Sequence, residues 1–384
     1  MSLKVLIVFK GTIEKAPRPF RFLSFCQKHN YDITIACSPS KTEILKSDLS
    51  FIEISNIEKT RFFRVGLKLL RTLVPIAFVK EKINQTLFNY GGLKKLLDKV
   101  DFDLIYVADI YLLSIINQYK KGAKVLFDAR EYYPLQYGEN LNFRLFEKPE
   151  CVRILNKNLS KCDKVITVSP GLAEAYHEKF NVLAEVVLSV PEYQDEKITN
   201  QSVDVFKILY HGMANRNRKI ENFIRITDIL SVNAELHLYM VGDESYILEL
   251  KKIASGNKKI FFHEPVAFKD IIHSVNQFDI GICFYEPTSF NVKHCLPNKF
   301  FEYIQARLVV AIGPSPDMAN IVREFNCGII SNDFTVESMA ESINTLSRKE
   351  ITQLKMNSDK AARYFCFEKE DAKFSVIIST FLSN

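Results

Sequence analysis

In the segment HCLPNKFFEYI, residues 294–304, a proline, an amide, a lysine and a glutamate head what the spacing predicts to be a helix. Turned at 100° per residue, Pro297, Phe301, Ile304 and Leu308 share one side, and Asn298, Lys299, Glu302 and Gln305 share another. Proline is preorganised for the first helical position, and the amides of a first turn, with the positive end of the helix dipole, suit an anion such as a phosphate. Lys299 would meet phosphates, and the two acceptor oxygens of Glu302 would take two hydroxyls of a ribose. A solvated polar helix face has the same pattern, so the elements around it must decide.

Those elements alternate. Strand-like runs at KVLIVF (4–9), DITIAC (32–37), DLIYVAD (103–109), KVLFDA (124–129) and KVITVS (164–169) are separated by helical patterns. They are nearly continuous in apolar residues, as in a parallel sheet covered on both faces. A polar stretch at 194–206 reads as a linker, after which the rhythm restarts with KILYHG (207–212), ELHLYMVG (235–242), KIFFHEP (259–265), FDIGICFY (278–285), VVAIG (309–313) and CGIIS (327–331). The expected architecture is α/β with two Rossmann-like doubly wound domains, 1–193 and 207–366, facing across a cleft. A final amphipathic helix, 367–384, returns toward the first domain. In doubly wound sheets ligands sit beyond the C-terminal strand ends, so the residues just after strands are the ones to weigh. In the second half these are Gly212, then Arg216, Arg218 and Lys219, where cations starting a helix would neutralise a diphosphate. Gly242 follows, then Glu264, Pro265 and Val266; glycines at 212 and 242 would let a ligand approach the backbone.

The composition, 47% hydrophobic and 25% charged, is that of a soluble globular chain, and 384 residues are enough for two cores. Eight scattered cysteines without metal-ligand spacing point to reduced thiols in a cytoplasm and away from structural zinc. No apolar run is long enough for a signal peptide or a membrane span. Neither Gly-x-Gly-x-x-Gly after the first strand nor Gly-Lys-Ser/Thr occurs, which removes the main support for dinucleotide redox chemistry and P-loop phosphoryl transfer. Residues 1–200 hold 30 Lys and Arg against 23 Asp and Glu, and residues 201–384 hold 21 against 22, so the basicity belongs to the first half. Residues 61–82 concentrate it, with Arg61, Arg64, Lys68 and Arg71 interleaved with Phe, Leu and Val. That composition suits peripheral attachment to the anionic inner face of a plasma membrane. No nucleic-acid-binding module accompanies the charge.

The stretches KILYHG through RKIENFI, LYMVGD, KIFFHEPVAFKDIIHSVNQFDIGICFY and LPNKFFEYIQA resemble the donor half of retaining glycosyltransferases of family 4, which have the GT-B fold. LIYVAD, VLFDAREYYP and CDKVITVSPGLAEAYHEKF resemble that family's acceptor half. The resemblance implies a nucleotide-diphosphate sugar as co-substrate, with no further cofactor and no metal. It places Glu302 on the ribose, Pro297, Asn298, Lys299, Arg218 and Lys219 at the diphosphate, and the backbone of Glu264, Pro265 and Val266 near the base. Asp109, Arg130 and Glu131 would face the transferred sugar or a glycan or lipid-linked acceptor. It further implies surface polysaccharide or glycolipid biosynthesis. Two positions depart from the pattern. His294 stands where the first of the family's paired glutamates belongs, to hydrogen-bond a sugar hydroxyl or to serve only as a loop residue, and Arg307 replaces a glycine. These departures keep open a catalytically silent sugar-nucleotide-binding scaffold, and a nucleotide-sugar 2-epimerase of the same fold is a further alternative. Asp109 and Glu131 also have the plain reading of a strand-end cap and an ion pair with Arg130.

Overall fold

The computed structural model of the chain describes residues 2–39, 50–54, 61–88, 90–199 and 205–382. The chain divides into two compact units. One comprises residues up to Val187, Ser289–Asn291 and the chain from Lys373 on; the other comprises Leu188–Thr288 and Val292–Ala372.

The first unit is built on β1 (Lys4–Val8), β2 (Asp32–Cys37), β3 (Ser50–Glu53), β4 (Leu104–Val107), β5 (Lys124–Ala129), β6 (Lys164–Thr167) and β7 (Glu185–Val186). Their order is β3-β2-β1-β4-β5-β6-β7, with every pairing parallel. The second unit has β8 (Phe206–Ala214), β9 (Ala234–Gly242), β10 (Ile260–His263), β11 (Ile280–Cys283), β12 (Val309–Ile312) and β13 (Gly328–Ile330). Their order is β10-β9-β8-β11-β12-β13, again all parallel. Central strands such as β1, β4, β11 and β12 are buried along almost their whole length, which is why the sequence shows them as unbroken apolar runs. In both sheets the order reverses beside the first strand, between β1 and β4 and between β8 and β11. Crossover connections leave on opposite sides there and open a crevice at the C-terminal strand ends.

The chain divides earlier than the linker-like composition suggests. Residues 188–199, read as the end of one domain and the start of a linker, pack within the second unit. Gln194 N–H donates to Gln305, and Asn276 donates to Lys197 O. The last helix, Phe367–Leu382, enters the first unit from Lys373 on, where Phe374 packs against Phe22 and Phe25.

Helix Arg61–Leu73 is amphipathic in an unexpected sense. Phe62, Val65, Leu69 and Leu73 line one side and are exposed, Phe62 to 89%. Arg71 lies nine residues from Phe62, half a turn away, and points inward, 1% exposed. There it donates to Asn84 and Glu147, and Lys68 also pairs with Glu147. Arg71 is therefore not a membrane-facing residue: the turn of the helix carries it into the core. Arg61 and Arg64 belong to this helix, but their side chains lie outside the described residues.

Candidate functional site

In the second unit the site grows from the β8/β11 reversal. The helix that leads into β12 runs from Asn298 to Gln305, with Pro297 as its N-cap and not, as expected, its first helical residue. Pro297 brings no side-chain cap, and Asn298 opens the first turn, in which Phe300 N–H bonds Pro297 O while the Asn298 and Lys299 amides precede the intrahelical ladder. Tyr303 seats this helix. Its ring lies on Gly281, where an added Cβ would stand 2.3 Å away, and its hydroxyl accepts from His211 N–H of β8. A strand residue with any side chain at 281 would lift the helix off the sheet.

So seated, the helix sends Lys299 over the end of β8. Its Nζ stands 3.9 Å from the centre of the Tyr210 ring and 5.6 Å from that of Tyr285. Gly212 makes the passage possible: with φ at 124°, a Cβ there would meet Lys299 Nζ at 2.8 Å. The sequence reading assigned that opening to a ligand, whereas the structure fills it with lysine. Arg218 lies over the other tyrosine, 4.3 Å from the Tyr285 centroid. Among the described residues no carboxylate oxygen lies within 4 Å of either cation. Burial lowers the Lys299 ammonium to about 7, with the Arg218 charge acting in the same direction. Among the described residues, the two cations thus share one aromatic floor with no carboxylate in ion-pair contact.

The neighbouring cations differ. Lys219 ion-pairs with Glu286, and Arg216 pairs with Glu249 at 2.7 Å. Residues 216–218 form a single 3-10 turn, Lys219 is left-handed, and the helix begins only at Glu221. Glu302 is 5% exposed, one turn beyond Lys299, and His211 Nε2 lies 3.3 Å from its carboxylate without hydrogen-bond alignment. Burial and the Lys299 charge depress His211 to about 3, which keeps it neutral. Gln305, grouped with these residues by its helical angle, belongs to the core and donates to Ala362 O and Phe365 O. Arg307 is likewise structural. Fully buried with φ at 59°, it pairs with Asp359 and donates to Tyr193 Oη, so the glycine it replaces is missed by the fold and not by the site. Gly242, Glu264 and Pro265 line a separate cavity of about 350 Å³ with Met240, Lys251 and Phe262. Val266 follows in the same loop. His294 stands just before Cys295 and contacts Asp317, which sequence reasoning did not single out.

The first unit carries its own strand-end cluster at the β1/β4 reversal. Lys10 follows β1 and lies 3.6 Å from Asp109, which follows β4. Asp109 also accepts from Tyr111 N–H as the cap of a 3-10 turn, so the plain strand-end reading holds alongside any other role. Lys10 sits over the Tyr111 ring, and the Tyr111 hydroxyl donates to Glu147. Burial lowers Lys10 to about 8 against the pull of Asp109. Arg130 and Glu131 follow β5, and burial raises the Glu131 carboxyl while Arg130 offsets part of the rise. Lys10, the first residue past the KVLIVF run, was within reach of the strand-end rule. Tyr210, His211 and Tyr285 were not, because inside apolar runs they look like core.

Residues 205–349 match the family model for glycosyl transferases group 1. That group 1 region contains Gly212, Arg218, Lys299 and Glu302, and its match supports glycosyl transfer. No curated protein matches the chain by sequence. Among solved structures, a glycosyltransferase from Rickettsia africae is similar with a TM-score of 0.70 and 16% identity, covering 100% of this chain and 99% of the other. A sucrose-phosphate synthase from Thermosynechococcus elongatus gives 0.74 and 12%, with 99% of each chain covered. Anabaena HepE in complex with UDP-glucose gives 0.69 and 13%, over 98% of this chain and 100% of the other. At these identities the likeness establishes the fold, which is GT-B, two Rossmann-like domains along the chain. No helix among the described residues is long and apolar enough to cross a membrane.

Proposed function

We propose that the chain is a retaining glycosyltransferase that moves a sugar from a nucleotide-diphosphate sugar to a glycan or lipid-linked acceptor in surface polysaccharide or glycolipid synthesis. The observation that carries this reading is the pair Lys299 and Arg218, held on tyrosine rings at the strand-order reversal without a carboxylate, one helical turn from the buried Glu302. A diphosphate supplies the missing negative charge, and Glu302 takes ribose hydroxyls. As the bond between the anomeric carbon and the phosphate oxygen breaks, negative charge grows on the leaving diphosphate, where the two cations and the first-turn amides stabilise it. The acceptor oxygen bonds to the anomeric carbon on the same face, and its proton passes to the leaving phosphate. No step requires a metal. The Lys10, Asp109, Arg130 and Glu131 cluster of the first unit is assigned to the acceptor. HepE, described in complex with UDP-glucose, supports trying uridine donors first.

The apolar row Phe62, Val65, Leu69 and Leu73 supports peripheral attachment to a bilayer, with Phe62 and Leu73 the deepest. Thermal-shift titration with UDP, GDP, ADP and CMP tests the donor reading, because a ligand of the folded form raises its melting temperature. No response to any nucleoside diphosphate would end it. Transfer from sugars of the responding nucleotide, with product anomer read by NMR, then tests retention. Flotation with anionic and neutral vesicles tests the membrane: equal, weak recovery with both, unchanged when Phe62 and Leu73 become serine, would reject attachment.

A further inference from the structure

Helix Arg61–Leu73 is held to its unit by its polar side. The apolar row Phe62, Val65, Leu69 and Leu73 is exposed, while Arg71 Nη2 lies 2.8 Å from Glu147 Oε2 and Lys68 Nζ 2.7 Å from Oε1. The adjoining segment, which Arg71 bonds at Phe146 O, exposes Leu141 and Leu145 as well. Residues 61–82 hold six Lys and Arg against one Glu, so an anionic bilayer complements the row in charge as well as in polarity. A bilayer that takes the row favours the helix position in which Arg71 and Lys68 reach Glu147.

Glu147 also faces the other way. The oxygen that takes Arg71 accepts from the Tyr111 hydroxyl at 2.8 Å. Tyr111 N–H donates to Asp109 at 2.9 Å, and the Tyr111 ring lies under Lys10, 4.5 Å from its Nζ. Lys10 in turn is 3.6 Å from Asp109. One carboxylate therefore joins the exposed helix to both charged residues at the β1/β4 strand ends, with every link inside the first unit. We propose, on the attachment reading above, that an anionic bilayer orders the Lys10–Asp109 cluster through Glu147 and Tyr111. Tyr111 is then a positioning residue, and the membrane sets the cluster assigned to the acceptor as well as recruiting the protein.

Hydrogen exchange of the full chain, read by mass spectrometry with and without vesicles, tests this. Vesicles of phosphatidylcholine with phosphatidylglycerol should slow exchange about five-fold or more over helix Arg61–Leu73. The same vesicles should slow, by a similar factor, the amides of Tyr111 and Leu112, both of which bond Asp109. Tyr111→Phe keeps the ring under Lys10 and the amide on Asp109 but removes the hydroxyl that reaches Glu147. In that variant vesicles should still protect the helix and no longer protect residues 111 and 112. A loosening of the fold by the substitution changes exchange with and without vesicles alike, so the vesicle-dependent difference reads the coupling alone. Protection of the helix without protection at 111 and 112 in the unmodified protein would overturn the proposal, as would equal protection there in Tyr111→Phe. Equal effects of pure phosphatidylcholine vesicles would overturn the anionic surface as the partner. If no vesicle protects the helix, the attachment reading itself fails and the proposal falls with it.

Discussion

In the first unit Lys10, Arg18 and Arg71 each meet a carboxylate, Asp109, Asp128 and Glu147 respectively, whereas in the second Lys299 and Arg218 lie on tyrosine rings. Arg71 shows what the closed arrangement does. Burial alone would raise Glu147, yet Arg71 and Lys68 outweigh it and hold the carboxyl at about 2, so both cations have a carboxylate in contact and the hydrogen bonds of Arg71 tie helix Arg61–Leu73 to the core. Lys299 shows the opposite. An aromatic face offers a cation less than a carboxylate does, and the ammonium gives up part of its charge near neutral pH. A cation kept short of a counter-ion costs stability, and it is maintained where an anion will come. The second unit makes the same distinction internally, since Lys219 and Arg216 are closed by Glu286 and Glu249 a few residues from the open Arg218.

The contrast is most directly broken at its extremes. Arg71→Ala leaves Glu147 with Lys68 and Tyr111 but removes the buried bonds to Asn84 and Phe146 O, and should cost about 2–3 kcal/mol in urea unfolding. A loss below ~1 kcal/mol would show that the closed pair is not structural. Lys299→Met should weaken nucleoside diphosphate binding about 100-fold by the loss of charged hydrogen bonds, while raising the ligand-free melting temperature by about 2–4 °C. A fall in melting temperature would mean that the lysine is compensated after all.

The same lysine gives a pH signature. Its value in the fold, about 7, is below the unfolded 10.5, so between these pH values the unfolded chain binds the extra proton and stability rises with pH. Diphosphate affinity runs the other way, full below about pH 7 and falling above it as the free ammonium is lost. Calorimetry at pH 6 and pH 8.5 on Lys299→Arg, which stays charged, should flatten the affinity profile. Glu302→Ala should weaken nucleotide binding by about 1–3 kcal/mol without unfolding the protein. Unchanged affinity removes Glu302 from the site. Lys219→Ala sharpens the comparison from the small side: with an exposed ion pair to Glu286, it should change nucleotide affinity by less than about 0.5 kcal/mol.

Much of this was legible in the chain. Continuous apolar runs mark buried parallel strands because both faces of such strands are covered, and eleven residues from His294 to Ile304 carry the lysine and glutamate of the candidate site. Less legible was which polar residues serve the fold. Gln305 and Glu302 share a helical face, yet Gln305 satisfies carbonyls of the chain near Phe365 while Glu302 does not. Arg71 and Lys68 share a basic stretch with their neighbours, but helical phase turns Arg71 into the core.

The sequence by itself determined the alternation of strands and helices, and with it the strand ends where polar residues gather, because burial of a two-faced sheet demands apolar runs of strand length. Only the tertiary structure decided which cations are neutralised and which stay open. Ion pairing falls off within a few ångströms, and the partners are brought from distant segments: Glu286 for Lys219, Glu147 for Arg71, Asp317 for His294. No pattern in one segment encodes a neighbour supplied by another.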